Sequence, residues 1–162
     1  MAAIKRLEQL GYVESRKAMA YQLENSSPLL SWKPGRSTQP DFTAIASANR
    51  RRWNGEVRET TVITATRQAI ARFGGSFRKV RPQEVEHDLR VANFYLDLSP
   101  QDQSSWRIED AIPNDQFGDK RPDAVVIRNG TPVVIEAVGR AYGSSKLQSI
   151  FQHFQNYHLE LI

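Results

Sequence analysis

The amino-acid sequence predicts an α+β protein with an α/β core in its second half, and three observations predict it. Arg121 to Val138 reads RPDAVVIRNGTPVVIEAV, two apolar β-branched runs around Asn-Gly, the strongest short hairpin signal a sequence carries. Apolar residues at helical spacing flank that hairpin, from Pro82 to Leu96 and from Ser144 to His158. A short alternating run before it and an apolar segment at the end complete the order from Pro82: helix, three strands, helix, strand.

The chain opens with AAIKRLEQL (Ala2–Leu10), which puts Ile4, Leu7 and Leu10 on one helical face, and Gly11 is a natural stop. Two alternating runs, Tyr12–Arg16 and Met19–Leu23, predict short strands joined by a turn. Ser26 to Pro40, rich in Ser, Pro and Gly, reads as an extended connection. Asp41 caps a helix from Phe42 through Ile45 to Arg50-Arg51-Arg52-Trp53, which Asn54-Gly55 ends. Trp53 either stacks on a nucleic-acid base or packs inside its domain. Val57–Thr64 favours a strand by β-branching, and Thr66–Phe73 favours a helix broken by Gly74-Gly75.

Pro82 suits the first helical position, and Val85, Leu89, Ala92 and Leu96 follow the helical period until Ser99-Pro100. Trp106–Ile112 alternates as a strand does. If Asn129 and Gly130 form a type I′ turn, the hairpin register follows: Arg128 faces Thr131, Ile127 faces Pro132, Val125 faces Val134 and Asp123 faces Glu136. The Ile127–Pro132 pair is then non-hydrogen-bonded, which suits a proline. Asp123 and Glu136 become close cross-strand neighbours, and two like charges so placed repel unless a cation lies between them. Ser144 or Ser145 caps a helix whose apolar face is Leu147, Ile150, Phe151, Phe154 and either Tyr157 or His158. Leu159–Ile162 begins a final strand.

At 162 residues the chain can bury one sizeable core or two small ones, and at 40% hydrophobic and 25% charged it has an ordinary globular composition. No apolar run approaches the ~20 residues of a membrane span, no signal peptide is recognisable, and a cytoplasmic location is the expectation. Cysteine is absent, which excludes disulfides and thiolate metal sites. The net charge of +4 conceals an asymmetry: residues 33–81 carry eleven basic against three acidic residues, residues 82–162 seven against twelve. A basic segment joined to an acidic one fits a polyanion-binding surface beside a metal-binding pocket, and equally a solvated arginine-rich helix. Arg50, Arg51, Arg52, Arg58 and Lys79 are the candidate DNA contacts.

The element order and the acidic pair across the second and third strands resemble the PD-(D/E)XK restriction-endonuclease-like fold, an αβββαβ domain. Pro122-Asp123 stands as the "PD" and Glu136 as the "(D/E)", within about residues 82–162. The resemblance implies that Asp123, Glu136 and the backbone carbonyl of Ala137 bind Mg²⁺ (or Mn²⁺), which favours a few carboxylate oxygens and keeps several waters. It also implies that the ion polarises a phosphate oxygen and activates a water. The family's lysine falls two residues after the acid, where this chain has Val138. In some lineages that role moves to a nearby helix, which makes Lys146 the expected substitute and Arg140 the second. Glu86 and His87, from the acidic start of the preceding helix, and Gln148 are expected in support. Acidic residues such as Glu84, Glu86 and Asp88 are favoured at a helix N-terminus by its dipole in any case. His153 and His158 read as structural. No Gly-rich phosphate loop, His-x-x-x-His motif or nucleophile elbow competes.

The N-terminal RLEQLGYVESR is similar to the last helix and wing of a winged helix-turn-helix, without the two preceding helices. Followed by HDLRVANFYLDL, RPDAVV and VVIEA, it resembles the replication-relaxation and MOBC-type relaxases of mobile plasmids. That resemblance implies DNA nicking during transfer or replication, relaxosome or mobile-element protein partners, a homodimer as an option, and a tyrosine taking part, Tyr95 or Tyr142 being nearest the site. The expected divisions are 1–40 (winged-helix remnant and linker), 41–81 (basic, mainly helical) and 82–162 (nuclease-like). Two other readings stay open: a DNA-binding regulator or relaxosome accessory protein with a degenerate nuclease fold, and an interaction module without nucleic acid.

Overall fold

The computed structural model describes residues 2–21, 27–53, 55–75, 77 and 81–162, and it is a mixed α+β structure. The chain forms two compact units, Met1–Gln22 with Glu56–Glu86, and Leu23–Gly55 with His87–Ile162. The chain thus crosses between units three times, and the expected divisions after residues 40 and 81 each fall inside a unit. No helix among the described residues is long and apolar enough to cross a membrane.

The first unit holds helix α1 (Ala2–Gln9), strand β1 (Val13–Tyr21), strand β3 (Val57–Ala65) and helix α3 (Arg67–Phe73). Gly11 turns the chain after α1 at φ 71°. The expected turn between Tyr12–Arg16 and Met19–Leu23 is absent: β1 runs unbroken to Tyr21 and pairs antiparallel with β3, from Val13↔Ala65 to Tyr21↔Val57. Arg16-Lys17-Ala18 offers no Gly, Pro, Asn or Asp to make a turn, so the alternation continues as one strand. The end of the second expected run, Gln22 and Leu23, lies outside the described residues. Thr66 caps α3, its hydroxyl oxygen accepting the Ala69 N–H at 3.2 Å.

The second unit is built on a five-stranded sheet of order β2-β7-β6-β5-β4. Its strands are β2 (Leu30–Trp32), β4 (Arg107–Ile108), β5 (Ala124–Arg128), β6 (Thr131–Glu136) and β7 (His158–Leu161). The β4–β5–β6 meander is antiparallel, and β7 returns parallel to β6 through helix α6 (Ser144–Phe154). From helix α4 (Val85–Leu96) onward the strands and long helices follow the order helix, three strands, helix, strand; the short helix α5 (Pro100–Ser105), capped by Ser99, was not expected. The expected Trp106–Ile112 strand shrinks to two residues, because Glu109–Ala111 coils into a 3₁₀ turn that buries Ile112.

The hairpin register is the expected one at Arg128↔Thr131, Ile127↔Pro132 and Val125↔Val134, and the ladder ends at Ala124↔Ile135, one pair short of the expected Asp123–Glu136. Asn129 and Gly130 have φ of 51° and 76°, both positive as a type I′ turn requires. The sheet is buried on both faces. Val125, Val134, Val138, Leu159 and Leu161 pack under α6 and under helix α2 (Phe42–Arg52), where Phe151 meets Phe42 and Trp32 at ring-centroid distances of 5.3 and 4.9 Å. Ala124, Val126, Val133, Ile135 and Ala137 face the other way, toward Phe94 of α4.

Two local expectations are corrected here. Gly143, rather than Ser144 or Ser145, stands at the N-cap of α6, and it makes no side-chain cap bond. Helix α4 buries Val85, Arg90 and Phe94, while Leu96 is 68% exposed and Ala92 is exposed too. Its sheet-facing line runs through residues 87, 90, 91 and 94, because Phe94 and Val91 outweigh the smaller or terminal Ala92 and Leu96 in apolar area.

Candidate functional site

In the second unit the start of β5 and the end of β6 open into a cleft of about 510 Å³. It is lined by His87, Glu109, Lys120, Arg121, Asp123, Glu136, Tyr142 and Lys146, among others. Strand alternation places Glu136 on the face of Val134 and Val138, and Asp123, just before β5, lines the same cleft. The Ala137 N–H donates to Asp123 Oδ2 at 2.7 Å, which ties the first acid to the strand that carries the second.

The two acids sit in different surroundings. Asp123 Oδ2 also lies 3.1 Å from His87 Nε2, and its side chain is 19% exposed. The hydrogen bond to Asp123, and after it the one to Asp88, raises the His87 pKa to about 10, so His87 is an imidazolium at neutral pH. The Glu136 side chain is 6% exposed, and Oε2 accepts a bond from Lys120 Nζ at 2.7 Å. Burial first, and the Asp123 charge second, raise the Glu136 pKa to about 7 against the opposing pull of Lys120.

Glu136 Oε1 is buried with no hydrogen-bond partner. A buried, unsatisfied carboxylate oxygen beside a second repelling carboxylate is an arrangement that a hard divalent cation would relieve. Asp123 and Glu136 therefore fit Mg²⁺ or Mn²⁺, with the Ala137 carbonyl the adjacent backbone oxygen. Among the described residues there is no cluster of three or more His, Asp or Glu side chains fit for a metal. Two carboxylates suit Mg²⁺ rather than a closed zinc-type site.

Lys120 is the residue the sequence reading missed. It ends a loop pinned by buried Ile112 and Phe117 and by His153, whose Nε2–H donates to the Phe117 carbonyl at 2.9 Å. Its ammonium also lies 4.9 Å from the centre of the Phe154 ring. The available signal was the Lys120-Arg121 pair directly before Pro122-Asp123. Lys146, the expected substitute, does line the cleft, with Nζ 5.8 Å from the Tyr142 ring centre.

Tyr142 is set by the turn after β6. Its N–H donates to the Gly139 carbonyl at 3.0 Å, and a Cβ on Gly139 would come within 3.0 Å of its ring. Asn49 of α2, fully buried, donates from Nδ2 to the same carbonyl at 3.1 Å and accepts the Trp53 Nε1–H at 3.0 Å. Burial, then the Asp123 and Glu136 charges, push the Tyr142 pKa up. Tyr95 instead packs against Trp106 at 5.6 Å between ring centres.

Other expected residues are placed differently. The Glu86 carboxylate accepts the Tyr21 N–H at 3.4 Å. Gln148 and Arg140 are exposed and do not line the cleft. Arg50 and Arg51 are exposed on the last turn of α2, and Arg58 is exposed and bonded to Glu56 Oε2 at 2.8 Å. Lys79 lies outside the described residues. Trp53 is 6% exposed, so of its two expected roles the packing one is what the fold provides. Compared with models of known protein families, with curated proteins and with solved structures, the chain matches none.

Proposed function

We propose that this chain is a Mg²⁺- or Mn²⁺-dependent DNA phosphodiesterase of the PD-(D/E)XK-like type, nicking DNA in the manner of a mobile-element relaxase. The observation that carries the reading is the meeting of Asp123, Glu136 and Lys120 in one cleft. Lys120 supplies from the preceding loop the ammonium that Val138 cannot, so the acid pair and a lysine are reunited without the usual spacing. A bound Mg²⁺ would polarise a phosphate oxygen and lower the pKa of an attacking water.

The chain's own groups divide the remaining work. Asp123 and Glu136 hold the ion, and the Ala137 N–H fixes the orientation of Asp123. Lys120, with Lys146 and Arg121 on the cleft wall, stabilises the negative charge that grows on the phosphoryl oxygens. Arg50 and Arg51 offer exposed charge for the phosphate backbone, which the basic balance of residues 33–81 favours. The wing expected within Tyr12–Leu23 is replaced by a ribbon of β1 with the distant β3, so the winged-helix part of the reading rests on the sequence resemblance alone.

A second reading is favoured by one specific observation. His87 and Lys120 already give each carboxylate a cationic partner, a state that a non-catalytic DNA-binding protein could keep permanently. Mn²⁺ titration of the metal-free protein, followed by proton relaxation of water, separates the two. The enzyme reading expects one site that is lost in Asp123→Asn and Glu136→Gln. Mn²⁺ binding that is absent, or unchanged in both variants, together with retained DNA binding, would leave the non-catalytic reading.

A further inference from the structure

Lys120 is a long, flexible side chain on a stretch without regular structure. From Ile112 to Asp123 the chain is neither helix nor strand, and Gly118 turns it at φ 81°. Ordering a lysine costs rotamer entropy, so the loop backbone must be fixed before the ammonium can stay 2.7 Å from Glu136 Oε2. The sequence reads His153 as structural, yet its contacts converge on this loop.

The last turn of α6 holds the loop from both sides of its glycine. His153 Nε2–H donates to the Phe117 carbonyl at 2.9 Å, and since a carbonyl only accepts, that nitrogen carries a proton. Nδ1 of the same ring lies 3.4 Å from Asp119 Oδ1. Between these two contacts, a Cβ on Gly118 would stand 3.7 Å from His153 Cε1. The next residue of the helix, Phe154, sets its ring 6.4 Å from that of buried Phe117 and 4.9 Å from the Lys120 ammonium. The Asp119 side chain is 94% exposed, so its contact is worth little and the Phe117 bond carries most of the hold. A leucine at 153 could fill the space, but it could not hold a carbonyl.

We propose that His153 is a positioning residue for Lys120. Through the Phe117 carbonyl it fixes the loop that delivers the ammonium to Glu136, and with it to the reacting phosphate. His153 touches neither acid and no reacting group, so it acts only through the lysine. The effect on the reaction rests on the nuclease reading; the placement of Lys120 does not.

The test reads Lys120 directly, by acetic anhydride labelling of the metal-free full chain and peptide mass spectrometry, with Lys146 as the reference in the same sample. His153→Leu is expected to raise Lys120 labelling relative to Lys146 by about fivefold, the equilibrium worth of one hydrogen bond. His153→Gln, whose amide N–H can reach the same carbonyl, is expected to restore most of the protection. If His153→Leu does not fold, Gly118→Ala disturbs the same loop at an exposed position, strained at its positive φ, and is expected to raise Lys120 labelling likewise. In single-turnover nicking, His153→Leu should slow the wild type about tenfold with Mn²⁺ affinity held, and have no further effect in a Lys120→Met background. Lys120 labelling that responds while the wild type shows no nicking supports the placement and sinks the nuclease reading alone. Unchanged Lys120 labelling in the folded variant, or Lys120 and Lys146 rising together, would overturn the positioning role.

Discussion

At the scale of single residues, the site depends on the unequal treatment of two carboxylates. Asp123 is held by an N–H and an imidazolium, whereas Glu136 is buried with one oxygen on Lys120 and the other on nothing. Removing the Lys120 charge should hurt catalysis more than removing that of Lys146, since only Lys120 touches an acid. Lys120→Met is expected to lower the nicking rate about 10²-fold or more, and Lys146→Met by less, in a single-turnover assay. The metal-free protein should also report the His87–Asp123 pair through pH. A histidine whose folded pKa is raised contributes stability that is complete below its ordinary 6.5 and lost as pH rises through about 10. Tm of the metal-free wild type should therefore fall between pH 6.5 and 10 more than that of His87→Gln. Parallel curves would contradict the pairing.

At the scale of elements, legibility followed how local each signal was. The β5–β6 hairpin was readable to the residue, because Asn129-Gly130 fixes both turn type and register within eight neighbouring positions. The α6 face was readable for the same reason, its four apolar positions falling at helical spacing. Helix α4 was misread: Val85, Leu89, Val91, Phe94 and Leu96 place apolar groups most of the way round, and only packing chooses the face. The continuity of β1 was hidden because its partner is β3, beyond residue 56, and a strand's length is set by what it pairs with. Lys120 was missed because its loop has no period, only anchors. Asn49 shows the same dependence on tertiary contact, since it joins α2 to the turn carrying Tyr142. Asn49→Ala strands the buried Trp53 N–H and the half-buried Gly139 carbonyl and should cost about 1–3 kcal/mol in urea unfolding. It should also raise KM, through the loosened Gly139 turn, more than it lowers kcat.

At the scale of the whole molecule, charge organisation decides which partners are plausible. The excess of basic residues lies in 33–81 and the excess of acidic residues in 82–162, as the acid pair and its cleft require. If the chain binds DNA through arginines such as Arg50 and Arg51, binding releases counterions and log affinity should fall linearly with log salt. Arg51→Gln should reduce that slope by about 1, measured by fluorescence anisotropy on a nonspecific duplex, and leave Mn²⁺ binding unchanged. A salt-independent affinity would favour an interaction module instead.

The central claim is that Asp123 and Glu136 are metal-holding acids of a nuclease site completed by Lys120. Its most direct test is conversion of supercoiled plasmid to nicked circle in Mg²⁺ or Mn²⁺ by the wild type, Asp123→Asn, Glu136→Gln and Lys120→Met. The prediction is nicking by the wild type that EDTA abolishes and that all three variants lose by about 10²-fold or more. Wild-type nicking no greater than that of Asp123→Asn would contradict it.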